Sequence, residues 1–159
     1  MRTRRPQRAD WADYLSRAMV MIDRHGHLIQ AVSDPKQHAH PFLYTVGLAP
    51  RGYEFVMVGL PVEVAHGILN SLVALDAEEP VVDDFPFTDL LEPPFRAVVE
   101  PMESTVGLDI AEALYDSSTW RARQVLWPDQ AGLLPTEDGC DQLYVDLQRS
   151  PRLAAWARP

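Results

Sequence analysis

The sequence predicts an α+β fold: a single domain with a mostly antiparallel sheet of five or six strands and two to four helices. Two segments, 42–48 and 54–60, are dense in β-branched and aromatic residues. Only Ala49-Pro50-Arg51-Gly52-Tyr53, a turn by composition, separates them, which is the pattern of an antiparallel hairpin. Helical periodicity occurs singly, between groups of strands, whereas a doubly wound parallel sheet needs strict alternation. A chain of 159 residues with 47% hydrophobic content suffices for one core that buries roughly two thirds of the unfolded surface.

Taken in order, residues 1–9 carry Arg2, Arg4, Arg5 and Arg8 and read as a disordered basic tail, with residues 10–159 as the domain. From 10 to 24, Trp11, Tyr14, Leu15, Ala18, Met19 and Ile22 recur at the spacing of one helix face, with Asp10 as N-cap and Gly26 as the left-handed stop. Residues 27–33 predict a short strand, and Asp34 to Pro41 a loop between two prolines. After the hairpin, Pro61 suits the first turn of a helix whose buried stripe is Val64, Ala65, Ile68, Leu69, Leu72 and Val73, ending near Leu75-Asp76. Residues 76–94 hold seven carboxylates and four prolines with no basic residue between them, so a mobile surface loop is expected. Strands are predicted at 95–102 and 121–127, a short helix at 106–115, a weaker strand at 142–147 and a terminal helical turn at 153–157.

Composition narrows the function classes. No apolar run approaches the roughly 18 residues a membrane span requires, and no apolar segment follows the N-terminal arginines, so neither membrane insertion nor export is expected. The net charge is −9, and −13 without the four tail arginines, a surface that repels a phosphate backbone. Thirteen arginines against the single Lys36 fit a GC-rich bacterial genome. Cys140 is the only cysteine, which excludes an intramolecular disulfide and a Cys-based zinc finger and makes the cytoplasm the expected compartment. With no histidine near it in sequence, Cys140 reads as an inert loop thiol.

The polar residues offer several chemistries. His25 and His27, like His38 and His40, are two apart, a spacing that on extended backbone turns two imidazoles to one side as candidate metal ligands. Against this, Gly26 splays the first pair, and His25 is explained by the helix C-terminus it sits on. Tyr44, if buried, needs a hydroxyl partner, and Glu54 on the neighbouring strand is a candidate. A buried Glu54 would have a raised pKa and could act as general acid or base; otherwise the pair fixes register. Gly47 and Gly59 suit a bulge or the close approach of a second backbone or a ligand. Trp127-Pro128-Asp129 ends a strand in a turn, its ring placed for core packing or for a pocket wall. No dinucleotide fingerprint, P-loop or nucleophile elbow occurs.

His25-Gly26, Tyr44-Thr45-Val46-Gly47-Leu48, Glu54, Gly59-Leu60, Leu69-Asn70, Tyr115, Trp127-Pro128-Asp129 and Gly132 together resemble a bacterial family catalogued as domain of unknown function 4262, over roughly residues 24–140. Two departures from the family pattern stand at Leu134-Pro135-Thr136 and Tyr53-Glu54-Phe55. The resemblance names no activity. It implies a shared site among its polar positions: His25, Tyr44 and Glu54 as catalytic candidates, with Thr45, Gly47, Asn70, Trp127 and Asp129 toward a ligand.

Two functional expectations follow. One is a small-molecule-binding domain or small enzyme with a pocket beside hairpin 42–60, its cofactor unknown, a metal or a flavin being open. The other is a non-enzymatic acidic or immunity-type module that meets a basic protein partner through loop 76–94. Neither nucleic acid nor membrane is an expected partner, and a homodimer is compatible with the sequence.

Overall fold

The computed structural model describes residues 8–33 and 41–149. Its sheet has five strands, β1 (Leu28–Val32), β2 (Phe42–Val46), β3 (Tyr53–Val58), β4 (Val98–Pro101) and β5 (Arg121–Leu126), in the order β1-β2-β3-β5-β4. Among the described residues four helices accompany it: α1 (Arg8–His25), α2 (Val62–Glu78), α3 (Asp109–Leu114) and α4 (Gln142–Gln148). The expected hairpin is β2 with β3, in the register Phe42↔Val58 and Tyr44↔Val56, joined through a 3-10 turn at Ala49–Arg51. The pairs β1–β2 and β4–β5 are also antiparallel. The sheet is nevertheless mixed, because β3 and β5 run parallel. After β3 the chain passes through α2, β4 and α3 before β5, a crossover long enough to bring β5 back in the same direction.

β2 is buried at every position, and β3 and β5 at all but their first residue. Such strands are covered on both faces. On one face, α1 and α3 close over Phe42, Tyr44, Val46, Val56, Val58 and Ala122. On the other, α2 packs over Leu43, Phe55, Met57, Val99 and Val125.

Several elements differ in extent from expectation. α1 begins at Arg8, so Asp10 lies in its first turn, where a carboxylate favours the helix dipole, and does not cap it. Its end is as predicted, with Gly26 at φ 86° and its N–H donating to Ile22 O at 2.7 Å. The buried stripe is narrower: Trp11, Leu15, Ala18 and Ile22 face the core, whereas Tyr14 is 42% and Met19 54% exposed. Pro61 precedes the first turn of α2, Val64 is exposed, and the helix continues past Asp76 to Glu78. Ala97 pairs with Phe87 in an isolated bridge, and the regular strand β4 starts only after it.

Residues 142–147, expected as a strand, form α4. The Asp141 carboxylate accepts the N–H of Leu143 at 3.0 Å and caps the helix. Its far end is fixed by Gln148, a fully buried amide that accepts from Trp127 N and donates to Trp127 O, both at 2.8 Å. Gln124 Nε2 donates to the carbonyl of Gln148 at 2.6 Å. The terminal turn at 153–157, most of the basic tail, and the pair His38 and His40 lie outside the described residues.

Candidate functional site

The residues singled out by sequence are distributed over four places. The first is the turn after β2. Glu54 is fully buried, and its carboxylate accepts from Thr45 Oγ1 (2.9 Å), Gly47 N (3.0 Å), Leu48 N (3.0 and 3.1 Å) and Ala49 N (3.0 Å). Thr45 Oγ1 in turn accepts the N–H of Phe55 at 2.8 Å. Burial pushes Glu54 up to about 7, against the pull of these donors. Its lone pairs are taken up by the chain's own turn, which makes Glu54 the clamp of the hairpin. Tyr115 lies close by: burial and then the Glu54 charge raise its hydroxyl.

Gly47 belongs to the same turn. Its φ is 121°, and a Cβ there would stand 2.9 Å from Gly26 O and 3.0 Å from the His27 Cα. The close approach expected at this glycine is therefore that of the α1–β1 connection. Gly47→Ala is expected to cost about 2 kcal/mol in urea unfolding, from left-handed strain and backbone overlap; an unchanged midpoint would show that the connection moves freely.

Tyr44, contrary to expectation, does not bond Glu54. Its Oη accepts the N–H of Ile110 at 3.1 Å, a tie from β2 to α3. Tyr44 lines the second place, a cleft of about 410 Å3 between α1, β1, β2 and the start of α3. Trp11 and Tyr14 stack in its wall with centroids 6.0 Å apart and planes 5° apart. Tyr14 Oη donates to Gln30 Oε1 at 2.6 Å. Arg17 is paired with Asp13 at the rim. Burial raises the Tyr44 hydroxyl well above an ordinary tyrosine, so it keeps its proton. Among the described residues that proton has no acceptor.

The third place is a chain of polar side chains between β1 and α2. His27 Nε2 donates to Asn70 Oδ1 at 2.9 Å, and Asn70 Nδ2 donates to His66 Nδ1 at 3.2 Å. His25 stays exposed at the end of α1, across the left-handed Gly26 from His27. Among the described residues no group of three or more His, Cys, Asp or Glu is placed to hold a metal ion.

The fourth place is a groove of about 320 Å3 beside the N-terminal half of α2, walled by Leu60, Val64, Ile68, Trp127 and Tyr144. Trp127 is both packed and a wall, since its Nε1 donates to Val58 O at 3.1 Å and Tyr144 meets its ring edge-on at 5.4 Å. Asp129 also lines the groove, but its carboxylate is taken up by its own loop, accepting from Asp141 N (2.8 Å), Leu133 N (2.9 Å) and Ala131 N (2.9 Å). These donors, Asp141 first, hold it below the ordinary carboxylate range. Cys140, half-buried, offers its thiol to Leu133 O at 3.4 Å, and burial raises its pKa away from thiolate chemistry.

Four buried polar residues carry no site role in the sequence: Asp76, Arg123, Gln124 and Gln148. Asp76 accepts the Tyr53 hydroxyl and the N–H of Val81 (2.9 Å), with Arg51 at 3.7 Å. Arg123 donates to Asp83 Oδ1 (2.7 Å) and Val81 O (2.6 Å) while lying over the rings of Tyr53 (4.7 Å) and Phe55 (5.2 Å). Arg121 adds a second contact to Asp83 at 2.8 Å. Loop 76–94, read as mobile and uncompensated, thus has two of its carboxylates met by arginines from β5 and the turn before β3. A charged residue at an inward strand position was the available signal for Arg123; Gln148 had none.

No curated protein and no solved structure matches the chain. The clamp at Glu54, Tyr44, the His27–Asn70 pair and the Asp129 loop all lie within residues 21–141, which match a family described as a domain of unknown function (DUF4262). With well over half of its length matched, the chain belongs to that family.

Proposed function

We propose that this chain is a small-molecule-binding domain of the bacterial cytoplasm, its ligand held in the cleft over Tyr44. The observation that carries the reading is Tyr44: a residue 1% exposed that lines a cleft of about 410 Å3, its hydroxyl raised by burial and its proton without an acceptor among the described residues. A cleft of this size, with the stacked Trp11 and Tyr14 in its wall and Asp10, Asp13, Arg17, Gln30 and Asp109 among its lining, suits a small polar ligand. Binding is better supported than turnover, because Glu54 is spent on the hairpin turn and His25 is exposed at the end of α1. No helix among the described residues is long and apolar enough to cross a membrane.

The test is a native mass spectrum of protein purified from a bacterial host, set against the denatured mass. An excess mass is expected, lost in Trp11→Ala. Tyr44→Phe keeps the ring in the core and is expected to weaken retention about tenfold, the worth of one hydrogen bond. A bare mass for wild type, or excess mass untouched by both substitutions, would remove the cleft as the site.

The second reading, an acidic module that meets a basic protein through residues 76–94, is supported by Glu78, Glu79, Asp84, Asp89 and Glu92, which remain outside the ion pairs among the described residues. Charge neutralisation of Glu78 and Glu79 is expected to weaken such an interaction.

A further inference from the structure

The most exposed large apolar side chains among the described residues are Phe85, at 71%, and Val82, at 67%, and both lie on the loop after α2. They line a cavity of about 400 Å3 together with the apolar Leu75 and Phe87 and the acidic Glu78, Glu79 and Asp89. Among the described residues no basic one lines it.

The backbone that presents these side chains is held in place. Val81 is gripped on both sides, its N–H by Asp76 at 2.9 Å and its carbonyl by Arg123 at 2.6 Å. Asp84 N donates to Val99 O at 2.7 Å, and Phe87 exchanges two hydrogen bonds with Ala97, both at 2.9 Å. An exposed aromatic on a frayed loop signifies little, because the loop can fold it away. Here the ends of the loop are pinned to β4 and β5, so Phe85 and Val82 stay in water at a standing cost, and pre-organised exposed apolar side chains are the anchors from which interfaces are built.

The surrounding charge selects the occupant. Three carboxylates lining an otherwise largely apolar cavity repel an acidic surface, a second copy of this −9 chain included. Resting on the acidic-module reading of residues 76–94, we propose that Phe85, Val82 and the cavity between them form a docking surface for an amphipathic basic segment of a protein partner. Apolar side chains of that segment seat against Phe85 and Val82, and its Lys or Arg side chains meet Glu78, Glu79 and Asp89.

The test is fluorescence anisotropy of the full chain with three labelled synthetic peptides of equal length: alternating lysine and leucine, lysine alone, and alternating glutamate and leucine. The lysine–leucine peptide is expected to bind about tenfold more tightly than the all-lysine peptide, and the glutamate–leucine peptide not at all. Phe85→Ser with Val82→Ser, exposed positions that leave the core intact, is expected to weaken the lysine–leucine peptide about tenfold and to remove its advantage. Met19→Ser with Val20→Ser, equally apolar and exposed on α1, is expected to leave binding unchanged. Equal binding of the lysine–leucine and all-lysine peptides, or weakening by the α1 pair instead, overturns the docking surface and leaves a purely electrostatic acidic module. Failure of every basic peptide to bind overturns both.

Discussion

Glu54→Ala is expected to lower folding stability by about 4 kcal/mol, enough to leave a domain of ordinary stability close to its unfolding threshold. The substitution strips the acceptor from Gly47, Leu48 and Ala49 N–H together, and each buried donor left without a partner costs about 1–3 kcal/mol. Thr45, which passes the clamp on to Phe55 N, loses its orientation as well. Glu54→Gln retains one acceptor but turns an NH2 toward N–H groups, and its loss should be intermediate. Urea unfolding followed by circular dichroism measures both. A loss below about 1 kcal/mol for the alanine variant would mean that water takes over the donors and that the carboxylate was dispensable to the hairpin.

The same group sets a pH dependence with a definite sign. Burial raises Glu54 from 4.5 to about 7, so between those values the folded chain holds a proton that the unfolded chain has released. The contribution is fully present below pH 4.5 and is lost as pH rises through 7, a fall of roughly 3 kcal/mol attributable to this residue. Glu54→Gln, which cannot titrate, should flatten that fall. A wild-type stability that instead climbs from pH 4.5 to 7 would show the backbone donors outweighing burial, with Glu54 ionised throughout.

Much of the fold was legible because its cause is local. The hairpin follows from β-branched residues around Pro50 and Gly52, and the end of α1 from Gly26, whose left-handed φ few other residues adopt at low cost. α4 was misread where local signals conflict. Leu143, Val145 and Leu147 alternate like a strand, yet Asp141 caps a helix there, and the buried partner that decides the matter, Trp127, is 21 residues from Gln148. The parallel β3–β5 pair was out of reach for the same reason, since register across a crossover is fixed by packing on both faces and has no trace in either strand alone. Of the residues that line the cleft over Tyr44, only Tyr44 itself is a candidate site residue in the sequence; Trp11, Tyr14, Gln30 and Asp109 are brought to it by packing between distant elements. Tyr44 and Glu54 have their side chains on one side of the sheet, but the first reaches α3 and the second its own turn, a division set by which buried polar group finds a donor first.

Arg123→Met should cost about 3 kcal/mol and loosen residues 79–87 in hydrogen exchange while sparing β2 and β3. Methionine keeps the apolar contact with Tyr53 and Phe55 but removes the charge, stranding Val81 O and one oxygen of Asp83 in partly buried surroundings. Arg121, with a side chain 58% exposed, still reaches Asp83 but is screened by solvent and cannot hold the loop alone. Arg123→Lys is expected to fare little better, since an ammonium cannot lie flat over two rings and donate to a carboxylate and a carbonyl at once. Release of the loop should also let Phe85 fold against the cavity, so the lysine–leucine peptide should bind more weakly to Arg123→Met although no residue of the docking surface has changed. Unaltered exchange at 79–87 would assign the pinning to Asp76 and the Phe87–Ala97 bridge instead, and peptide binding should then also be unaltered, because both readouts depend on the same fixed backbone.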